Sequence, residues 1–307
     1  MATSLTTTYA GKEALPYYSA ALLQLNSLSN GAITVKQNIV GKTVVKRGAL
    51  SDTLSAAACT FSDGSTVTID ERILDPKNLQ LATSICKNDF LGDWEVERMG
   101  NSAWKNISGT GVMQWLVPQV LAEGMAQLEV MIWQGVAGAN AFAGFETLVA
   151  ADDDVIDVST PVAITSANVI TELGRVVSAT PTKVKTQADY AIRVAHNVGE
   201  AYIAALGGFG SNGLGANGFD NKGTAWFNGQ PLTFNGHRVI ICNGMSDDKM
   251  IAGATSNFWF GTALLSDINS TIKVVDMEDT TLDETVRIKA KFVAGVQYGA
   301  GADIVNY

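Results

Sequence analysis

The strongest constraint in this sequence is one long amphipathic segment, residues 110–135, which predicts a helix packed along a larger body. Polar side chains recur at steps of four, at Gln119, Glu123 and Gln127. Apolar side chains line the other side, at Val112, Leu116, Val120, Leu128 and Ile132. At 1.5 Å per residue such a helix is up to about 39 Å long, and Pro118 should either kink it or mark its true start.

A second constraint is a pair of strand-like segments with no core of their own. Thr34 to Arg47 interleaves β-branched residues with basic ones, and Thr66 to Ile73 alternates apolar and polar side chains after the turn signal Ser62-Asp63-Gly64. Together they predict a hairpin-like loop of about 40 residues. A lone hairpin is only marginally stable in water, so this one needs another surface to lie on.

Composition and charge bound the class of protein. The chain has 307 residues, 47% of them hydrophobic, which supplies a core for roughly two domains and excludes global disorder. Only 17% are charged, against about 25% in a typical globular domain, which indicates surface that a partner covers. The net charge of -9 argues against non-specific wrapping of nucleic acid, although the protein could still enclose it.

Cysteine usage and the N-terminus indicate a reducing compartment. Cys59, Cys86 and Cys242 are widely spaced and odd in number, which argues against a disulfide framework. Residues 1–10 lack the basic and apolar regions of a signal peptide. No segment reaches the length of about 18 uninterrupted apolar residues that a membrane span needs. We therefore expect a soluble intracellular protein with no membrane partner.

From Asp152 onward, helices and strands follow one another without regular βαβ alternation. Helices are predicted at Ile164 to Ser178 and at Asn197 to Leu206, the second closed by Gly207. Strands are predicted at Tyr190 to Val194, Arg238 to Cys242, Lys249 to Ala252, Ile272 to Asp276, Thr285 to Gln297 and Ile304 to Tyr307. This mixture predicts an α+β fold.

Three patterns could carry chemistry, and each has a plainer interpretation. Gly208 to Gly213 reads G-x-G-x-x-G, but it follows a helix, which favours a flexible loop over a nucleotide site. Cys242 could act as a nucleophile with His196 or His237, although a buried strand cysteine is the better interpretation. Asp152-Asp153-Asp154 could bind a hard cation such as Ca²⁺, but a solvated turn between domains is favoured. We expect no cofactor and no metal.

Two clusters of opposite charge are candidates for a contact surface. The basic cluster lies in the predicted hairpin and consists of Lys36, Lys42, Lys46 and Arg47. The acidic cluster lies between two predicted strands and consists of Asp276, Glu278, Asp279, Asp283 and Glu284. The acidic cluster is either a solvated loop tip or a surface for a basic segment, and the basic cluster is a candidate for that segment.

The order of these segments resembles that of tailed-bacteriophage major capsid proteins with the Hong Kong 97-type fold. The long helix ends in Glu129-Val130-Met131-Ile132-Trp133-Gln134-Gly135, and Phe142-Ala143-Gly144-Phe145 follows, similar to the family's E…IWQG and F-x-G patterns. Other similar stretches are Ile164 to Ile170, Tyr190 to Ala195, Tyr202 to Leu206, Gly229 to Leu232 with Gly236 to Val239, and Val286 to Tyr307. The resemblance covers nearly the whole chain.

The resemblance implies a particular division of the chain. It implies an N-terminal arm at 1–32, an E-loop at 33–75, a peripheral domain with a spine helix at 76–148 and 270–299, and an axial domain at 149–269 and 300–307. It further implies a structural protein, not an enzyme, that self-assembles as pentamers and hexamers into an icosahedral shell around double-stranded DNA. The glycine-rich loop at the capsomer centre would contain Gly208, Gly210, Gly213 and Gly215.

The resemblance also implies partners and a location. Beyond other copies of itself, we expect a portal, decoration proteins and a separate scaffolding protein, because the chain has no room for a fused scaffolding domain. The protein would lie in the virion capsid and, during assembly, in the host cytoplasm. Some family members form Lys–Asn cross-links, but Ile272 to Ala290 contains no asparagine, so none are expected here. An encapsulin-like bacterial compartment and a nucleotide-dependent enzyme using Gly208 to Gly213 remain the alternatives.

Overall fold

A computed structural model describes residues 25–39, 41–51, 59, 66–86, 111–138, 141–207, 232–263, 273–277 and 281–307. The helices are α1 Asn26–Ser29, α2 Gly111–Gln134, α3 Phe145–Ala150, α4 Val169–Ala179, α5 Thr182–Lys185 and α6 His196–Gly207. The strands are β1 Thr34–Lys36, β2 Thr43–Ser51, β3 Thr66–Leu74, β4 Lys77–Cys86, β5 Ile156–Asp157, β6 Tyr190–Ala195, β7 Thr233–Phe234, β8 His237–Cys242, β9 Met250–Ala254, β10 Phe258–Thr262, β11 Lys273–Asp276, β12 Thr285–Tyr298 and β13 Val305–Asn306. The expected mixture of helices and strands is confirmed.

The first sheet is built on the long strand β12. This strand pairs antiparallel with β4 along one edge and with β11 and β10 along the other, and β1 lies parallel to β10. Buried Val286, Ile288 and Ala290 alternate with exposed residues along β12, the pattern of a half-buried strand. Helix α2 lies against this sheet so closely that a Cβ at Gly124 would come within 2.4 Å of the Leu81 side chain.

The second sheet has the strand order β5-β13-β9-β6-β8-β7. Its central strand β6 is buried at every position, and it pairs parallel with β8 and antiparallel with β9. Helix α6 packs against β8 at Gly199, where a Cβ would lie 2.6 Å from the Ile241 side chain. A strand that is covered on both faces is typical of a sheet centre.

Aromatic rings and one arginine join the two sheets. The Trp133 ring of α2 lies 5.4 Å from the Phe145 ring of α3, and Phe145 lies 5.3 Å from Phe258 of β10. On Phe258 sits the guanidinium of Arg193 from β6, 3.9 Å from the ring centroid. All four side chains are buried, so the chain of contacts runs through the core from α2 to the centre of the second sheet.

The strand predicted at Thr34 to Arg47 is two strands in different sheets, which corrects the sequence interpretation. Asn38 has a positive φ of 63°, and Ile39 N–H still donates to the Thr262 carbonyl, so the chain follows β10 before it turns away. The hairpin therefore consists of β2 and β3 alone. Strand β10, assigned from sequence to the axial domain, pairs with β12, which was assigned to the peripheral domain.

Other element boundaries also differ from the sequence interpretation. Pro118 lies inside α2 and does not mark its start. Helix α4 begins only at Val169, because the Asn168 side chain accepts from Thr165 N–H and donates to the Ala163 carbonyl, which forms a turn there instead. The last strand is shortened by a 3-10 turn at Gly301–Asp303. No helix in the described part of the chain is long and apolar enough to cross a membrane.

The W-Q-G…F-x-G pattern has a steric explanation. Gly144 N–H donates to the Gly135 carbonyl at 2.8 Å, and Thr147 Oγ1 donates to the same carbonyl at 2.7 Å. A Cβ at Gly144 would lie 2.4 Å from the Trp133 carbonyl oxygen, and one at Gly135 would lie 2.5 Å from the Phe142 carbonyl oxygen. The chain crosses the end of α2 at backbone-to-backbone distance, which only glycine allows.

We expect Gly144→Ala to destabilise the protein by about 1–3 kcal/mol, because the clash is with backbone that cannot move aside. Gly174→Ala is the matched control, since a Cβ at this position of α4 meets nothing within 4 Å and alanine favours the helix. Denaturant unfolding of the unassembled chain measures both. Equal stability of the Gly144 variant and the wild type would contradict the steric explanation.

Candidate inter-subunit surface

One face of the β2–β3 hairpin carries three exposed apolar side chains and one ion pair. The register pairs Val44 with Ile73 and Gly48 with Ile69, which places these residues on the same face, with the Lys46–Glu71 ion pair between them. Val44 is 47% exposed, Ile73 51% and Ile69 65%. Three large apolar side chains so close together on a projecting hairpin mark a surface that a partner can cover.

The opposite face of the hairpin is anchored at its base. The Arg72 Nη2 atom lies 2.5 Å from Asp152 Oδ2, and the Tyr298 hydroxyl donates to the same oxygen at 2.6 Å. The Arg72 guanidinium also lies 5.0 Å from the Tyr298 ring centroid. Next to it, Leu74 is buried so close to Gly261 of β10 that a Cβ there would lie 2.7 Å away. The base of the hairpin is therefore fixed to the first sheet.

The surroundings of Asp152 at the base of the hairpin favour its ionised carboxylate. Burial alone would raise the pKa of Asp152, but hydrogen bonds from Tyr298, the Asp154 amide and Arg72, with the Arg72 charge, hold this pKa below its ordinary value. Burial first, and then the bond to Asp152, raises the pKa of Tyr298. Asp153 and Asp154 are exposed in a turn, as expected from the sequence, but Asp152 is an ion-pair partner, which corrects the interpretation for that residue. The described residues contain no cluster of three or more potential metal-ligating side chains.

The basic cluster is largely compensated within its own chain. Lys46 Nζ lies 3.1 Å from Glu71 Oε1 across the hairpin, and Lys42 Nζ lies 3.7 Å from Asp75 Oδ2. Arg47 pairs with Asp70 in the strand register, and its side chain lies outside the described part. Lys36 belongs to β1 instead, with Nζ 6.0 Å from the Trp259 ring centroid. Lys42 and Lys46 therefore each have an acidic partner within their own chain, although both pairs are exposed.

The acidic cluster lies around the connection between β11 and β12. Asp276 ends β11, Glu278 and Asp279 are outside the described residues, and Asp283 and Glu284 are exposed. The Thr281 hydroxyl donates to Asp283 at 2.8 Å, and Arg287 Nη2 lies 3.9 Å from the same carboxylate. Between the acids, Leu282 is 87% exposed at a positive φ of 60°. This turn projects charge and one apolar side chain into solvent.

The described residues contain no arrangement in which Cys242 and a histidine could act as nucleophile and base. Cys242 is fully buried on β8, and burial raises the pKa of its thiol to about 12, which confirms the buried strand cysteine. His196 is exposed and pairs with Glu200 at 3.2 Å, while the His237 ring packs edge-on against Tyr190. The loop with Gly208, Gly210, Gly213 and Gly215 lies outside the described residues.

Sequence reasoning did not find the anchor of the hairpin. Arg72 sits in a strand that also carries Glu71 and Asp70, so its charge looked like that of a solvated face. The one sequence signal for the anchor was the position of Arg72 in the strand. Arg72 lies on the same strand face as Thr68 and Leu74, opposite Ile69 and Ile73. Its partners Asp152 and Tyr298 are 80 and 226 positions away, and no local pattern joins them.

Comparisons with known structures identify the fold. The chain is similar to the capsid of a native GTA particle, with 13% identity and a TM-score of 0.61 over 99% of this chain and 94% of that one. It is also similar to a structure from Mycobacterium phage Che8, with 11% identity, coverage of 99% and 98% and a TM-score of 0.60. The capsid of Myoviridae phage XM1 gives 11% identity, coverage of 97% and 95% and a TM-score of 0.56.

No protein-family profile and no curated protein sequence matches the chain. At these low identities the structural likeness shows the fold, and the chain has the fold of phage capsid proteins. The resemblance seen in the sequence is confirmed at that level.

We expect Asp152→Asn to loosen the hairpin by about 1.5–3 kcal/mol, because Arg72 loses its charged acceptor. Hydrogen exchange of β2 and β3 measures this. Asp152 has a lowered pKa when folded, so its contribution is present above the ordinary value of about 3.9 and is lost as pH falls through the lowered value. Asp75→Asn is the control, since its lysine pairs are more exposed and their loss should change hairpin exchange little. Equal exchange in the Asp152 variant and the wild type would refute the anchor.

Proposed function

We propose that the chain is the major capsid protein of a tailed bacteriophage, which assembles as pentamers and hexamers into an icosahedral shell around double-stranded DNA. The observation that carries this proposal is the capsid-protein fold, shared over nearly the full length of both chains. The similar GTA capsid was computed with fivefold symmetry, which supports ring assembly of this fold. The role is structural rather than catalytic.

The sequence-based division of the chain becomes part of this proposal. Helix α2 serves as the spine of a peripheral domain with β4, β11 and β12 of the first sheet, and the second sheet forms the body of an axial domain whose range also contains β10. The separate pairing of β2 with β3 supports their assignment to the E-loop. The loop with Gly208, Gly210, Gly213 and Gly215 would lie at the centre of each ring, where differing ring sizes require differing backbone shapes. A scaffolding protein, a portal and decoration proteins are the remaining expected partners.

The hairpin is the proposed contact between neighbouring subunits. Its base is fixed through Arg72, so its apolar face is held out at a defined angle. Covering Val44, Ile69 and Ile73 with a second copy would bury apolar surface, which is the main favourable contribution in protein association. The low share of charged residues, 17%, agrees with extensive contacts of this kind.

We expect the full-length chain, expressed with phage structural proteins and viewed by electron microscopy, to form closed shells with five- and six-subunit rings. Replacing Ile69 and Ile73 together by Asn should abolish or strongly reduce shells, because the docking face becomes polar. The stability of the unassembled chain should change by less than about 0.5 kcal/mol, since both side chains are exposed.

Ile170→Asn is the control for this test, because Ile170 is 47% exposed on α4, away from the hairpin. If the hairpin variant forms shells at wild-type yield, the proposed hairpin contact is wrong, but the capsid proposal is not affected. A wild-type chain that forms no particles would overturn the capsid proposal, and native particles filled with protein cargo instead of DNA would favour an encapsulin-like compartment.

We also propose that the basic cluster meets the acidic turn of a neighbouring subunit. Replacing Asp283 and Glu284 by Lys should lower shell yield at low salt, and reversing Lys42 and Lys46 in the same chain should restore part of it. One exposed pair contributes only about 0.2–1 kcal/mol, so the effect depends on repetition over the shell. It should fade at high salt because exposed charges are screened.

The control for the charge test is Glu123→Lys with Glu200→Lys, which makes the same change in net charge at exposed positions outside both clusters. Unchanged assembly of the acidic-turn variant at low salt would contradict the pairing.

A further inference from the structure

A short N-terminal segment fastens both sheets together, and we call residues 25–36 the N-terminal strap. At its start, Asn26 Nδ2 donates to the Ile241 carbonyl of β8 at 3.2 Å. In its middle, Arg193 Nε donates to the Ala32 carbonyl at 2.7 Å. At its end, β1 pairs with β10 in the first sheet. The strap therefore connects the second sheet to the first.

One buried carboxyl group lies where the strap crosses α2. Glu129 is fully buried, and its Oε1 atom is hydrogen-bonded to the Ser27 hydroxyl of the strap. The Oε2 atom is also buried and has no hydrogen-bond partner in the described part of the chain. Trp133 Nε1 donates to Ser27 Oγ at 2.8 Å, and the same hydroxyl interacts with the Cys242 thiol. Four side chains thus meet in a dry cluster.

The charged groups around this cluster do not compensate an ionised Glu129. Helix α1 carries no titratable side chain. On the β8 side, the cluster contains Cys242. Burial raises the pKa of Cys242 most, the charge of Glu129 raises it further, and the charge of Arg193 from β6 lowers it. The hydroxyl and backbone N–H of Ser27 and the Trp133 side chain favour the charged form, but a buried carboxylate whose Oε2 atom has no hydrogen-bond partner is still disfavoured compared with the neutral acid.

The neutral acid satisfies every donor in the cluster. In the structure the Ser27 hydroxyl donates to Glu129 Oε1. When Glu129 is neutral this bond can reverse, so that the Glu129 O–H donates to Ser27 Oγ, which also accepts from Trp133 Nε1. The Ser27 O–H is then free to donate to Cys242 Sγ, whose own proton points to the Ile240 carbonyl at 3.9 Å. Of the carboxyl group, the Oε2 carbonyl oxygen is left without a partner.

We propose that Glu129 carries a proton in the folded chain, and that this proton fastens the N-terminal strap to α2 and β8, so that its loss loosens the link between the two sheets. The proposal concerns the single folded chain and does not rest on the capsid function. It makes the strap a pH-sensitive latch.

The direction of the pH effect follows from the burial of Glu129. Burial raises the pKa of Glu129, and the hydrogen bonds from Ser27 and Trp133 offset this only in part. The stabilisation is fully present below the ordinary glutamate pKa of about 4.3 and is lost as pH rises through the raised value. Within that window, the equilibrium constant for latch closure should fall by up to about tenfold per pH unit.

The test compares the unassembled full-length wild type with Glu129→Gln, whose side-chain amide can donate to Ser27 at any pH. Hydrogen exchange of residues 25–36, corrected for its intrinsic pH dependence, should rise with pH in the wild type by up to about tenfold per unit. In the Gln variant it should be flat. Glu123→Gln is the matched control, because Glu123 is exposed on the same helix and should leave the wild-type slope unchanged.

A second measurement uses the wild type and therefore tests the proposal even if the Gln variant folds poorly. Infrared difference spectra of the wild type across the same pH range should show the carbonyl band of one protonated carboxyl group disappearing as the strap opens. The Glu123 variant should retain this band. Strap exchange that is independent of pH in the wild type, or an infrared spectrum without a protonated carboxyl in the closed state, would overturn the proposal.

Discussion

The buried guanidinium of Arg193 is the interaction on which the rest of this structure depends. It donates to the carbonyl oxygens of Ala32, Ala191 and Gly253 and to the Thr255 hydroxyl, and it stacks on Phe258. These groups belong to the strap, to two strands of the second sheet, to the 3-10 turn at Thr255–Asn257 and to the start of β10. Burial lowers the pKa of Arg193 only to about 10, so the side chain stays charged at neutral pH. A buried charge must keep its acceptors in place, which fixes how the two sheets meet.

Three ionisable groups each stabilise a different part of the chain. Arg193 stays charged because carbonyl dipoles surround it, whereas burial and the unpartnered Oε2 atom favour the neutral form of Glu129. Asp152 lies nearer the surface and is ionised against Arg72. The strap therefore depends on burial and the hairpin on a charge pair, so high pH loosens the first and low pH the second.

The hairpin combines rigidity at its base with an uncovered surface along its length. Cross-strand pairs such as Lys46–Glu71 give it its own charge balance, which leaves apolar burial as the stronger reason for it to dock on a neighbour. A capsid shell needs elements that reach a neighbouring subunit at a constant angle. The Arg72 anchor and the exposed Ile69 suit that purpose within the proposed function.

The sequence by itself determined the periodic elements: α2, β12 and β6 follow from repeats of 3.6 and 2 that are local properties of the chain. The tight glycine contacts also left a readable motif at Gly135 and Gly144. Tertiary structure alone decided the division of residues 34–47 between two sheets, the pairing of Arg72 with Asp152 and the burial of Glu129 beside Ser27. Each of these depends on partners 80 to 225 positions away. The buried environment that shifts the pKa of a side chain exists only once those partners have packed around it.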